Sequence, residues 1–204
     1  MCYRNYIDIN KLNGMKREAY RIAWQHGWHD NPISAAQYLG LVITEAAEVV
    51  EADRLGKRAK TDLMTERLRQ SQALKEELSS DLYEMRFTSL YKDLVKDSIE
   101  EEFADVIIRL LDMAHGIHGE YMVWVGHDRY GENYYGDESF AETLWRFTNK
   151  VLNWGMMNIT DSVAFVYAWA DRGRGICPEA LDTHIRWKMK FNELRPYKHG
   201  GKKY

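Results

Sequence analysis

The chain has 204 residues, room for one sizeable domain. At that length folding buries roughly 70% of the unfolded surface, so neither a disulfide nor a structural metal is needed for stability. Hydrophobic residues make up 45% and charged residues 29%, the balance of a soluble globular protein, and a net charge of −3 excludes a broad nucleic-acid footprint.

Cys2 and Cys177 show no CxxC or metal-ligand spacing and fit a reduced compartment. Met1 to Gly14 lack the apolar centre of a signal peptide, and no run approaches 18 apolar residues, so a cytoplasmic protein without a membrane partner is expected. Prolines at 32, 178 and 196 leave the stretch between Pro32 and Pro178 free to be helical. A first helix is predicted over about 11–27, with Leu12, Met15, Ala19, Ile22 and Ala23 as its stripe. Residues 27–32 read as a loop. Ser34 as N-cap, with Gln37 as its capping-box partner, opens a helix to about Gly56, roughly 34 Å long. Leu39, Ile43, Ala46 and Val50 form one apolar face of it, and Leu41, Val49 and Ala52 another.

Residues 57–80 are crowded with charge and read as a solvated helix or mobile arm. Packing is expected to resume near 82, with Leu82, Met85, Leu90 and Leu94. Ser98 and Glu101 form a second capping box before a helix over 99–116, which turns Phe103, Ile107, Leu110, Leu111 and Ala114 inward. Tyrosines and glycines interleaved over 119–137 predict a loop or short hairpin. Ser139 and Glu142 start a helix to about 155, another spans 160–172, and Pro178 at a first helical position opens the last, to about 194. Trp145, Trp154, Phe165 and Trp169 fit helical core positions, and His115, His118 and His127 have no partner pattern. Trp28 and His29 suit base stacking by chemistry, but a core or loop-anchoring role is the simpler expectation. The pattern as a whole is an all-α helical bundle forming a single domain over 1–204, with a helical or mobile insertion near 57–97.

Two motifs carry chemistry. Glu45-Ala-Ala-Glu48 and Glu102-Phe-Ala-Asp105 each place carboxylates at i and i+3, on one side of an apolar helix. Two carboxylates about 5 Å apart repel by roughly 3 kcal/mol at an effective dielectric near 20. A hard divalent cation, Mg²⁺ or Mn²⁺, removes that cost. The same spacing also suits a solvated ion-pair ladder, with Arg109 and Asp112 continuing the second stripe. A di-iron centre would want Glu-x-x-His on two helices, and neither motif has a histidine at i+3. Because Mg²⁺ keeps waters and shares its ligands with phosphates, an open carboxylate cluster points to a phosphate-bearing substrate. Lys188, Asn192 and Arg195, at i, i+4 and i+7, share a helix face that suits phosphate and sugar, or equally a charged helix end.

Together these residues resemble the MazG-like all-α nucleoside triphosphate pyrophosphohydrolases, a superfamily that includes the dCTP pyrophosphatases and the dimeric dUTPases. Its signature is ExxE, a spacer, then ExxD, here Glu45/Glu48 and Glu102/Asp105. EEFADVIIRLLDMA looks like its second metal helix, and Lys188 and Asn192 match its Lys-x-x-x-Asn element. The resemblance covers about 12–56, 98–116 and 176–204; the stretch from Val49 to Glu101 is much longer than the family's usual spacer and reads as an insertion. The resemblance implies Mg²⁺-dependent cleavage of a (deoxy)nucleoside triphosphate to the monophosphate and pyrophosphate. Glu45, Glu48, Glu102 and Asp105 would be the metal ligands, Glu45 or Glu48 would position or deprotonate water, and Lys188, Asn192 and Arg195 would bind substrate. It further implies a homo-oligomer, dimer or tetramer. Two alternatives stand beside it: a non-enzymatic helical oligomer that binds a nucleotide or a partner, and a pyrophosphohydrolase acting on a phosphoribosyl-nucleotide.

Overall fold

A computed structural model of the chain describes residues 9–73, 79–121, 139–154 and 159–201. Residues 1–8, with Cys2, and most of the expected 119–137 loop lie outside the described residues, as does the side chain of Trp154.

Local sequence signals account for most helix boundaries. The first helix, α1, spans Ile9–Gln25 and ends before Gly27, whose φ of 77° suits only glycine comfortably. A Cβ there would also run into the ring of Tyr197. Ser34 accepts from the Gln37 amide at 3.2 Å and starts α2, Ala35–Arg54. Helices α3, Thr61–Ala73, and α4, Ser80–Leu94, follow, α4 capped by Ser79. Ser98 caps α5, Ile99–His118, which leads into a short 3₁₀ turn, Gly119–Tyr121. The Ser139/Glu142 capping box closes in both directions and begins α6, Phe140–Trp154. Then come α7, Ile159–Arg174, and α8, Pro178–Glu193, with Pro178 in the first turn as expected. The described residues form an all-α bundle whose eight longer helices run from 13 to 20 residues, followed by a four-residue turn at Lys198–Gly201, without strands. No helix among them is long and apolar enough to cross a membrane.

Helix α5 is the axis of the bundle. Thirteen of its 20 residues are buried, and α1, α2, α7 and α8 pack around it. Phe103, Ile107, Leu110, Leu111 and Ala114 point inward as their spacing predicts, and each large side chain contributes about 1.5–3 kcal/mol by leaving water. On α1 the expected Leu12, Met15, Ala19 and Ile22 are buried.

Three packing expectations need correction. On α2 the buried stripe is Tyr38, Val42, Ala46, Val49 and Ala52, the face that meets α5, while Leu39 and Val50 only flank it. On α4 the packed stripe is Phe87, Tyr91 and then Val95; Leu82 and Met85 face solvent, because i, i+4 from Phe87 points at α8 instead. On α6, Trp145 is 69% exposed, whereas Phe165 and Trp169 of α7 are buried as expected.

The described part of the charged insertion is helical, one of the two forms expected for it. Helices α3 and α4 pack as a pair and share a second, smaller core of Met64, Phe87, Tyr91, Val95 and Phe191. Within it Tyr91 stacks on Phe191, centroids 4.4 Å apart. The backbone closes the unit, with Lys60 N–H on Leu94 O at 2.8 Å and Ile99 N–H on Lys57 O at 3.1 Å. His184 of α8 is buried and reaches Thr61 at 3.1 Å.

A candidate carboxylate and phosphate site

A cavity of about 520 Å³ opens between α2, α4, α5 and α8. It is lined by all seven residues singled out in the sequence: Glu45, Glu48, Glu102, Asp105, Lys188, Asn192 and Arg195. The C-terminal segment that carries Arg195 is clasped to the α1–α2 loop. Both ring nitrogens of His26 sit on carbonyls, Ile22 at 2.9 Å and Arg195 at 2.8 Å. Lys198 N–H donates to His26 O at 3.0 Å, and the Tyr197 hydroxyl donates to Asp30.

The four predicted carboxylates divide into two kinds. Glu45, Glu48 and Glu102 each bring an oxygen within 4.8 Å of the others. Glu48 is exposed and Glu102 is 7% exposed, and neither has a hydrogen-bonding partner among the described residues. Glu45 shares its charge with Arg109, Nε to Oε1 2.9 Å. Asp105 belongs to no such trio. It is held by Lys188, whose ammonium lies 2.5 Å from Asp105 and 2.5 Å from Glu101.

The electrostatics follow from that division. Burial, then the charges of Asp105 and Glu101, push the Glu102 carboxyl up to about 9. Burial also raises Asp105, against the pull of Lys188. Desolvation works to lower Lys188, but Asp105 and Glu101 outweigh it and hold the ammonium charged. Glu102 therefore takes up a proton at neutral pH unless a cation replaces it. An all-oxygen set of three carboxylates, two of them unpaired, fits a hard divalent ion.

Several site residues were not legible as such. Glu101 reads as a capping-box partner, and Ser98 does accept the Glu101 amide at 3.3 Å. The Glu101 carboxylate, however, turns away from the Ser98 amide. It takes the Asp97 N–H, the Tyr91 hydroxyl at 3.1 Å and Lys188 instead. Glu101 also forms a second acidic trio with Asp97 and Glu102. Thr88 and Lys92 of α4, and Lys96 just beyond it, line the same cavity. Their i, i+4, i+8 spacing was visible in the sequence, but nothing there said which way α4 faces.

Other predicted residues play structural parts. His29 pairs with Asp112 at 2.8 Å, with Tyr38 3.4 Å away, and so anchors the loop before α2. Trp28 packs edge-on to His199, 5.1 Å between centroids. His115 stacks on Tyr20 at 4.1 Å. The ion-pair ladder along Glu102, Asp105, Arg109 and Asp112 exists in part, but it runs across helices, to Glu45, Lys188 and His29, rather than along α5.

No family model, curated protein or solved structure matches the chain.

Proposed function

We propose that the chain is a divalent-cation-dependent pyrophosphohydrolase that cleaves a nucleoside triphosphate to the monophosphate and pyrophosphate. The observation that carries this is one cavity of about 520 Å³ in which a carboxylate trio, only one of its members ion-paired among the described residues, meets several cationic side chains. The volume lies within the range of small-molecule sites. Glu45, Glu48 and Glu102 would hold Mg²⁺ or Mn²⁺, and Asp105 becomes available to it only if Lys188 lets go. The ion would supply charge neutralisation on the phosphate oxygens.

The side chains divide the remaining work. Glu48, unpaired and open to solvent, is placed to orient and deprotonate a water; Glu45, tied to Arg109, is less free to do so. Arg195, without an ion-pair partner among the described residues, faces the anion. The buried Asn192 Oδ1 has no partner among the described residues and is placed to accept from a sugar hydroxyl. A homo-oligomer belongs to the same proposal. Trp145 and Leu152, i and i+7 on α6 and both exposed, supply apolar surface for a second copy to cover.

A panel of canonical and modified nucleoside triphosphates with Mg²⁺, read as pyrophosphate against phosphate release, tests the reaction. Glu48→Gln should fold normally and lose activity; full activity in it would remove the assignment. A second reading is a nucleotide-binding protein that does not hydrolyse. It is favoured by the withholding of Asp105, and saturable nucleotide binding without turnover across the panel would establish it.

A further inference from the structure

Five lysine and arginine side chains line the cavity, and three are already neutralised. Lys188 lies between Glu101 and Asp105, Arg109 is on Glu45, and Lys96 is 2.5 Å from Asp97. Lys92 and Arg195 have no carboxylate within ion-pair distance among the described residues. An anion that enters is therefore met first by these two, since recruiting Lys188 or Arg109 breaks a largely buried pair and recruiting Lys96 an exposed one.

The Lys92 side chain is exposed, but the backbone that carries it is held in place. Its neighbour Tyr91 is fully buried, stacks on Phe191 and donates to Glu101 at 3.1 Å. The α4 backbone at this point is thereby tied to the acidic strip of α5. Thr88, Lys92 and Leu194 line both the cavity and a second, more open groove of about 510 Å³ that continues along α4 past Met85 and Asp81. Lys92 thus stands where one space passes into the other. A ligand whose cation-bound end sits at Glu45, Glu48 and Glu102, and which is longer than the cavity, reaches the groove by passing Lys92.

We propose that Lys92, contributed by the α3–α4 hairpin, holds the terminal phosphates of a polyphosphate substrate together with Arg195, while Lys188 stays with the carboxylates. The assignment rests on the pyrophosphohydrolase reading and adds to it. The hairpin becomes part of the substrate site rather than a decoration, and the substrate class narrows to anions with at least two phosphates beyond the one at the carboxylates.

Calorimetric titration of the full chain with inorganic tripolyphosphate in Mg²⁺, together with steady-state kinetics on the best triphosphate of the panel, tests this. Lys92→Ala should weaken tripolyphosphate about tenfold and raise KM with little change in kcat, the pattern of lost ground-state binding. Lys92→Arg should stay within about threefold of the unmodified chain, since a guanidinium also binds phosphate. Arg67→Ala, an exposed arginine on α3 away from the cavity, should change nothing. Unchanged affinity and KM in Lys92→Ala overturn the role of Lys92 and leave the reaction standing. An equal loss in Arg67→Ala also overturns it, by showing a diffuse field effect. If the unmodified chain neither binds tripolyphosphate nor turns over any triphosphate, the reaction itself falls, and the role of Lys92 with it.

Discussion

Replacing Glu102 by glutamine should make the metal-free protein more stable and the metal-loaded protein less so. Burial and its acidic neighbours raise the Glu102 carboxyl from an ordinary 4.5 to about 9. Between those values the folded state binds a proton that the unfolded state has released, so stability falls as pH rises through this window. At pH 7.5 the three units above 4.5, at 1.36 kcal/mol each, set a ceiling of about 4 kcal/mol on the cost. Glutamine has the same shape and no charge to desolvate, so it removes that cost. Even half of it, about 2 kcal/mol, corresponds to a rise of about 4–8 °C in Tm for a chain of this length. Thermal melts in a chelator should therefore place Glu102→Gln above the unmodified chain at pH 7.5 and higher, with the gap closing toward pH 5. Adding Mg²⁺ at about 100 times its Kd should stabilise the unmodified chain by about 2.7 kcal/mol and the variant by much less, reversing the order. A variant that melts lower than the unmodified chain in chelator at pH 8 would refute the desolvated carboxyl. An equal response to Mg²⁺ in both would refute Glu102 as a ligand.

Lys188→Met should destabilise the fold by about 3–5 kcal/mol, because Glu101 and Asp105 are left buried without a cation. Adding Asp105→Asn should recover part of that loss in a denaturant-melt double-mutant cycle, and strict additivity would show that the two do not interact. His184, buried with its Nδ1 unpartnered, has its imidazole pulled down to about 4 by burial and by Arg58. The folded state then resists a proton that the unfolded state accepts, so stability is present above pH 6.5 and is lost as pH falls toward 4, by up to about 3 kcal/mol. His184→Gln should flatten that acid limb relative to the unmodified chain, and identical pH profiles would exclude it. Trp145→Glu should lower the mass seen by sedimentation and remove any dependence of Tm on protein concentration; an unaltered mass would mean that this face of α6 carries no subunit contact.

Helix positions were legible because caps and apolar periods are local. Ser34, Ser98, Ser139 and Pro178 mark helix starts within a residue or two of where the chain places them. Facing was legible only where one stripe is unambiguous. On α5 the run from Phe103 to Ala114 leaves a single choice, and it is the buried one. On α2 every third or fourth position is apolar on two sides, and only the docking of α5 decides that Val42 rather than Ile43 goes inside. The hairpin was harder still. Its charges suggest a solvated helix or a mobile arm, while one methionine on α3, Met64, and three residues on and after α4 suffice to anchor it on Phe191.

The candidate site shows the same limit in its electrostatics. Spacing brings Glu45, Glu48 and Glu102 together, since each motif keeps its acids on one side of its helix. It cannot show which acids already have a cation. Glu101 is one residue from Glu102 in sequence, yet on a helix that step turns about 100°, carrying it toward Tyr91 and Lys188 and away from Glu45. Lys188 follows Glu101 and takes Asp105 with it, so two charges expected to face substrate and metal neutralise each other instead. If the site works on a polyphosphate, the missing positive charge must then come from outside the motifs. Lys92, on the insertion that the resemblance does not cover, is where we propose that the fold supplies it.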